Sequence, residues 1–182
     1  MKKAYILLAE GFEIIEAFAP HDILTRCGVT VKTVAIGEGK SVASSHGVAV
    51  TADLPLAGTD LGDGDLLILP GGYPGYARLG ESKAVGDVLK AYYNGGKLVG
   101  VICGAPTVLV KNGLAADRKL TCHSGVRDQM GAYQVTGNIV EKDGNLITGV
   151  GAGRALEFGF LLAETLTDVE TVKKAKQGMQ IL

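Results

Sequence analysis

The chain is short of cysteine, of long apolar runs and of any surplus of one charge, and each shortage removes a class of protein. Its three cysteines, Cys27, Cys103 and Cys122, are odd in number and widely spaced. That argues against a disulfide framework and for a reducing compartment, with the cytoplasm fitting best. No stretch approaches the roughly 20 consecutive apolar residues that cross a bilayer, so no membrane partner is expected. The opening "MKKAYILLAEGFE" carries two lysines, but its apolar run of about six residues falls short of the roughly 7–15 residue core of a signal peptide. The 18 Lys and Arg are scattered and balanced by 19 Asp and Glu, for a net charge of −1. Nothing in that pattern calls for nucleic acid or an anionic membrane, and a small molecule is the better-suited partner. There is no repeat, linker or low-complexity tract; the 27 glycines sit singly or in pairs between apolar runs and read as turns.

What is present is one domain's worth of ordinary globular sequence: 182 residues, 47% hydrophobic and 20% charged. Apolar runs of strand length alternate with longer periodic segments, the pattern of parallel strands joined by crossover helices. Buried strands are expected at "AYILLA" (4–9), "VTVKTVAI" (29–36), "DLLILP" (65–70) and "KLVGVI" (97–102). A helix is expected from Ile14 to Arg26, ended by Gly28 and bent or tightened by Pro20. A second should run from about Ser82 to Tyr93 and stop at "NGG", and a third should follow Cys103 and end near Asn112 and Gly113. The segment "KSVASSHGVAVTADLPL" reads as a hairpin excursion, and "NIVEKDGNLITG" as a hairpin turning at Asp143-Gly144. Two more helices, one through Leu166 and one polar, close the chain. The fold class is α/β: a flavodoxin-like three-layer sandwich with a mostly parallel central sheet, whose ligand sites lie beyond the carboxyl ends of the strands.

Three strand ends carry unusual residues. Cys103 stands between a buried strand and a helix start, where unpaired N–H groups and the helix field favour an anion and lower a thiol pKa. Gly104 permits the tight reversal of a nucleophile elbow, although G-x-S-x-G is absent. The plainer reading is a small core hydrophobe, and position alone leaves both open. Glu16 sits among apolar residues on the first helix turn, so it is either a partly buried carboxyl of raised pKa, able to exchange protons, or a solvated glutamate favoured by the helix dipole. Glu10 and Glu13 compete with it. His123 in "KLTCHSG" is the histidine best placed to reach a strand end and form a Cys–His pair, with His21 and His46 as alternatives. Gly71 and Gly72, after "LILP", are either a turn or a pair of backbone N–H donors for an oxyanion. "GVGAGR" comes too late and lacks the acidic residue of a dinucleotide-binding unit, and no ligand set has zinc-like spacing. No cofactor and no metal are expected.

Taken together, "AEGFEIIEA", "LILPGG", "GVICGAPTVL" and "TCHSG" resemble the ThiJ/PfpI superfamily, most closely its DJ-one branch, that of the Parkinson-associated protein deglycase. The resemblance spans essentially the whole chain and implies a single class I glutamine amidotransferase-like domain, 1–182, forming a cofactor-free homodimer with the first helix near the interface. By position it makes Cys103 the nucleophilic and oxidisable cysteine, Glu16 the protonated glutamate that hydrogen-bonds it, His123 the nearby histidine, and Gly72 and Gly104 the oxyanion or substrate pocket. The activity implied is glyoxalase or deglycase-type conversion of small aldehydes such as methylglyoxal, with a redox-responsive or chaperone-like stress protein as the alternative. A PfpI-like peptidase or amidotransferase expects an acid after the histidine, and here Ser124 and Gly125 follow. Two departures stand out: His46 occupies the position of the branch's usual arginine, and Cys122 precedes His123.

Overall fold

A computed structural model describes residues 1–181 of the chain. Its first strand, β1 (Lys3–Leu8), is apolar from Ala4 onward and buried on both faces, as a central strand of a parallel sheet must be. The helix α1 (Ile14–Arg26) returns along the sheet to β2 (Thr30–Ala35), and Pro20 lies inside it without interrupting it. The excursion that follows is the expected hairpin, β3 (Ser41–Ala43) against β4 (Ala49–Thr51), with His46 in the connection. The two-residue strand β5 (Leu54–Pro55) then pairs with β2 at the sheet edge.

The next units are β6 (Leu66–Leu69), α2 (Gly75–Glu81), α3 (Lys83–Asn94), β7 (Leu98–Ile102) and α4 (Pro106–Lys111). Ser82 caps α3, its side chain accepting the Val85 N–H at 3.3 Å; Pro106 opens α4, where a missing N–H leaves no bond unmade. The segment leading to His123 pairs only over β8 (Lys119–Leu120), in a separate two-stranded sheet with β9 (Gln134–Val135), bridged by a 3-10 turn at Ser124–Met130. The hairpin β10 (Val140–Asp143) and β11 (Leu146–Gly149) turns through Gly144 and Asn145, one residue later than expected. Finally come α5 (Ala155–Leu166) and α6 (Val169–Gly178), the latter capped by Asp168.

The main sheet has the order β10-β11-β7-β6-β1-β2-β5, parallel except for β10. Its five long parallel strands therefore run second, first, third, fourth, fifth in chain order, the flavodoxin-like arrangement. Side chains alternate along each strand between two cores. Ile6, Ile68 and Ile102 meet Ile23, Leu24 and Phe158 of α1 and α5. Leu7, Leu69 and Val101 meet Leu79, Leu89 and Val108 of α2, α3 and α4. Because strand order reverses between β1 and β6, the connections leaving those two strands part to opposite faces and open a crevice at their carboxyl ends. No helix among the described residues is long and apolar enough to cross a membrane.

Candidate active site

Cys103 follows β7 directly and holds φ at +65°, a left-handed conformation that residues other than glycine seldom adopt. Hydrogen bonds on both sides of it impose that geometry. Its N–H donates to the Gly149 carbonyl at the end of β11, and its carbonyl accepts the His123 N–H, both at 2.9 Å. Its side chain, half-buried, is thereby lifted off the strand toward the crevice.

Glu16 arrives from the first turn of α1 and is fully buried. Its Oε2 accepts the Gly71 N–H at 2.8 Å, and Oε1 has no protein hydrogen-bond partner. The carboxyl lies beside the Cys103 thiol, and each group shifts the proton affinity of the other. There is no room between them: a Cβ on Gly71 would lie 2.7 Å from both Glu16 Oε2 and Cys103 Cβ. Gly71 therefore spends its N–H on positioning Glu16. That leaves the N–H groups of Gly72 and Gly104, which lie near the sulfur and favour its charged form. Gly72 is required as glycine twice over, because φ is +84° and a Cβ would stand 2.3 Å from the Glu13 nitrogen.

The electrostatics depart from the sequence expectation of a thiol lowered by the turn alone. Burial lifts Glu16 from 4.5 to about 7. Burial, followed by the Glu16 charge, pushes the Cys103 thiol up to about 12, against the opposing pull of the Gly72 and Gly104 N–H groups. The helix after the elbow has only six residues and begins three positions beyond the cysteine, so its field does not outweigh the dry surroundings. A second negative charge is what this space resists. Between about pH 7 and 12 the pair holds one proton and one charge. Moved onto Glu16, the proton leaves a thiolate held by two backbone donors and satisfies the partnerless carboxyl oxygen.

His123 is exposed at the rim of the same cavity. The sequence offers no acid to orient it, and the structure supplies a backbone group instead: Nδ1 accepts the Gly125 N–H at 3.0 Å. The neutral ring consequently carries its proton on Nε2, which makes it a donor toward the cavity rather than a base. The cavity, about 270 Å³, is lined by Gly72, Cys103, Gly104, His123 and two tyrosines, Tyr73 and Tyr76. Sequence reasoning passed over those tyrosines; their signal was two aromatics three residues apart immediately after "PGG". The competing residues lie elsewhere. His21 packs on the Phe18 ring, and His46 is exposed with Nδ1 3.9 Å from Glu13 Oε2. Arg26 pairs with Asp22 at 2.7 Å. Cys122 is buried in the α2–α4 core layer, while Cys103 packs against the other. No cluster of three or more metal-ligating side chains occurs among the described residues.

The model of the DJ-1/PfpI family matches residues 2–165. The chain belongs to this family. Among its DJ-1/PfpI relatives, "Protein dj-1beta" of Drosophila melanogaster is 37% identical over 182 residues, covering 99% of this chain and 97% of that one. The crystal structure of Drosophila melanogaster DJ-1beta superposes with a TM-score of 0.95 over 100% of this chain and 98% of that chain. The "Glutathione-independent glyoxalase DJR-1.2" of Caenorhabditis elegans is 37% identical over 172 residues, 93% of this chain and 91% of its own. A structure of oxidized Toxoplasma gondii DJ-1 is similar at 31% identity and a TM-score of 0.94, covering 99% of this chain and 98% of that chain. The match thus spans the whole main sheet, the first turn of α1, where Glu16 lies, and the end of β7, where Cys103 lies.

Proposed function

We propose that this protein is a cofactor-independent glyoxalase that converts 2-oxoaldehydes, methylglyoxal among them, to 2-hydroxy acids through a Cys103 adduct. The observation that carries the reading is buried Glu16 beside half-buried Cys103 at the floor of an open cavity, with the Gly72 and Gly104 N–H groups near the sulfur. The similarity to the worm glutathione-independent glyoxalase supports it.

The chemistry is internally balanced. The Cys103 thiolate adds to the aldehyde carbon, and the new alkoxide takes the Glu16 proton, giving a hemithioacetal and a carboxylate. That carboxylate removes the C1 hydrogen as a proton, and the electron pair moves into an enediolate. The His123 Nε2–H steadies the developing oxyanion. Glu16 returns the proton to C2, and the C1 hydroxyl proton passes to the C2 oxygen, leaving a thioester. Water then attacks the thioester, Glu16 accepts its proton, and the tetrahedral adduct expels the thiolate. One oxoaldehyde and one water give one hydroxy acid, with no external oxidant.

Purified protein should release lactate from methylglyoxal without glutathione. Cys103→Ala should abolish release, and Glu16→Gln should lower kcat by at least about 100-fold, the scale of a lost general acid/base. Wild-type protein without turnover would sink this reading. A second reading, redox response, draws on the same two N–H groups, which suit the oxygens of an oxidised sulfur, and on the likeness to a structure described as oxidized. There two equivalents of peroxide oxidise the Cys103 thiolate to sulfinate and release two waters. A single sulfinate formed stoichiometrically, in protein lacking aldehyde turnover, would favour it. Deglycase and stress roles share this thiol. We further infer a cytoplasmic homodimer: Ile15 on α1 and Val48 in the hairpin are large apolar side chains about half exposed, and sedimentation should give a dimer that Ile15→Glu weakens.

A further inference from the structure

The cavity above Cys103 is larger and more aromatic than a three-carbon aldehyde needs. At about 270 Å³ it approaches the lower end of the range that holds drug-sized ligands. Methylglyoxal would occupy the sulfur, the Glu16 carboxyl and the oxyanion donors with its two carbonyl carbons, leaving one methyl group for the remaining space.

The walls of that space are specific. Tyr76, near the start of α2, packs directly against Gly104: a Cβ there would stand 2.4 Å from Tyr76 Cδ1 and 2.6 Å from Cε1. The ring thus abuts the residue whose N–H lies near Sγ. Tyr73, in the loop before α2, is 74% exposed, with its ring centroid 6.0 Å from that of Tyr76 at an interplanar angle of 57°. Val126 is buried on the side that His123 and Gly125 occupy. No Asp, Glu, Lys or Arg lines the cavity. A charged substituent entering it would lose water without meeting a countercharge. A flat ring would meet two aromatic side chains already set at a tilted geometry, the arrangement aromatic pairs prefer.

We propose that Tyr73 and Tyr76 select 2-oxoaldehydes bearing an aromatic substituent over methylglyoxal. The proposal rests on the glyoxalase reading of the same site and adds the substrate class. Tyr76 is the fixed wall, held by its contact with Gly104. Tyr73 is the outer wall, whose exposed face a ligand ring would cover.

The test compares initial rates with phenylglyoxal and methylglyoxal, taken before arginine modification intrudes, and binding of the corresponding products, mandelate and lactate, by calorimetry. Wild-type kcat/KM should favour phenylglyoxal by about tenfold, the scale of one aromatic contact plus its buried area. Tyr73→Ala should lower kcat/KM about tenfold for phenylglyoxal and about twofold for methylglyoxal, while Tyr73→Phe keeps the wild-type ratio. Equal wild-type efficiency on the two aldehydes, or an equal loss on both in Tyr73→Ala, overturns the selection and leaves the glyoxalase reading standing. If neither aldehyde is turned over, that reading fails and binding decides the pocket. Mandelate held about tenfold more tightly than lactate in wild type but not in Tyr73→Ala upholds an aromatic site; equal binding overturns it.

Discussion

Cys103 and Glu16 share a space that tolerates one charge, and that sets how the thiol answers pH. With Glu16 lifted to about 7 and the thiol to about 12, the first proton leaves the pair near neutrality. Whatever fraction of the singly protonated pair has its proton on Glu16 is nucleophilic. Alkylation of Cys103 by iodoacetamide, followed by intact mass, should therefore rise with a midpoint near pH 7. In Glu16→Gln no carboxyl can take up the shared proton, and the midpoint should move up by about two pH units or more, toward the 9.0 of an ordinary thiol and beyond it as burial dictates. An unchanged midpoint would separate the two residues. His123 adds no base to this pair, since its Nδ1 is occupied by Gly125. Its replacement by Gln, which keeps a donor, should retain more activity than replacement by Ala.

The crossing of α1 and α5 holds Glu16 in register with the elbow, and it depends on the absence of a side chain at Gly159. A Cβ there would meet Ile23 Cδ1 at 2.8 Å and Pro20 Cα at 3.1 Å. Gly159→Ala should lower unfolding free energy by about 2 kcal/mol, the range for overpacking a filled core, read from denaturant titration. The same crossing shows what sequence can and cannot disclose. The strands at 4–9, 65–70 and 97–102 were legible because their apolar runs are unbroken and of strand length, and α1 because its apolar face repeats. Glu16 was a visible anomaly on that face. By contrast, α2 was hidden: "GGYPGYARLGE" is dense in glycine and proline, and its seven-residue helix is held by the core through Leu79 rather than by propensity. β5 was hidden by being two residues long and ending in Pro55. The tautomer of His123 was illegible because a backbone N–H, not a side chain, decides it. The low thiol pKa expected from the elbow failed because burial is a property of the assembled crevice, which no local pattern reports.

Two sets of carboxyl groups pull the stability of the molecule in opposite directions. The hydrogen bond from Lys2 at 2.9 Å holds Asp65 below its usual 3.8, and the Lys119 N–H followed by Arg118 does the same for Asp143. Their contributions are present above 3.8 and are lost as pH falls through the lowered values. Glu16 has the reverse sign: its folded value of about 7 stands above 4.5, so its contribution is complete below 4.5 and is lost as pH rises through 7. The rise from 4.5 to about 7 corresponds to about 3 kcal/mol for this fully buried carboxyl. Unfolding free energy should accordingly peak between about pH 4 and 6 and decline toward pH 8. Glu16→Gln should flatten the alkaline side, so that its melting temperature exceeds wild type at pH 8 by more than at pH 5. Parallel curves for the two proteins would count against a titrating Glu16. The backbone of Cys103, meanwhile, is pinned by Gly149 and His123 independently of its sulfur. Neither bond involves the side chain, so the turn that presents the thiol is built by the main chain alone and a change at position 103 reaches the elbow's chemistry before it reaches its shape.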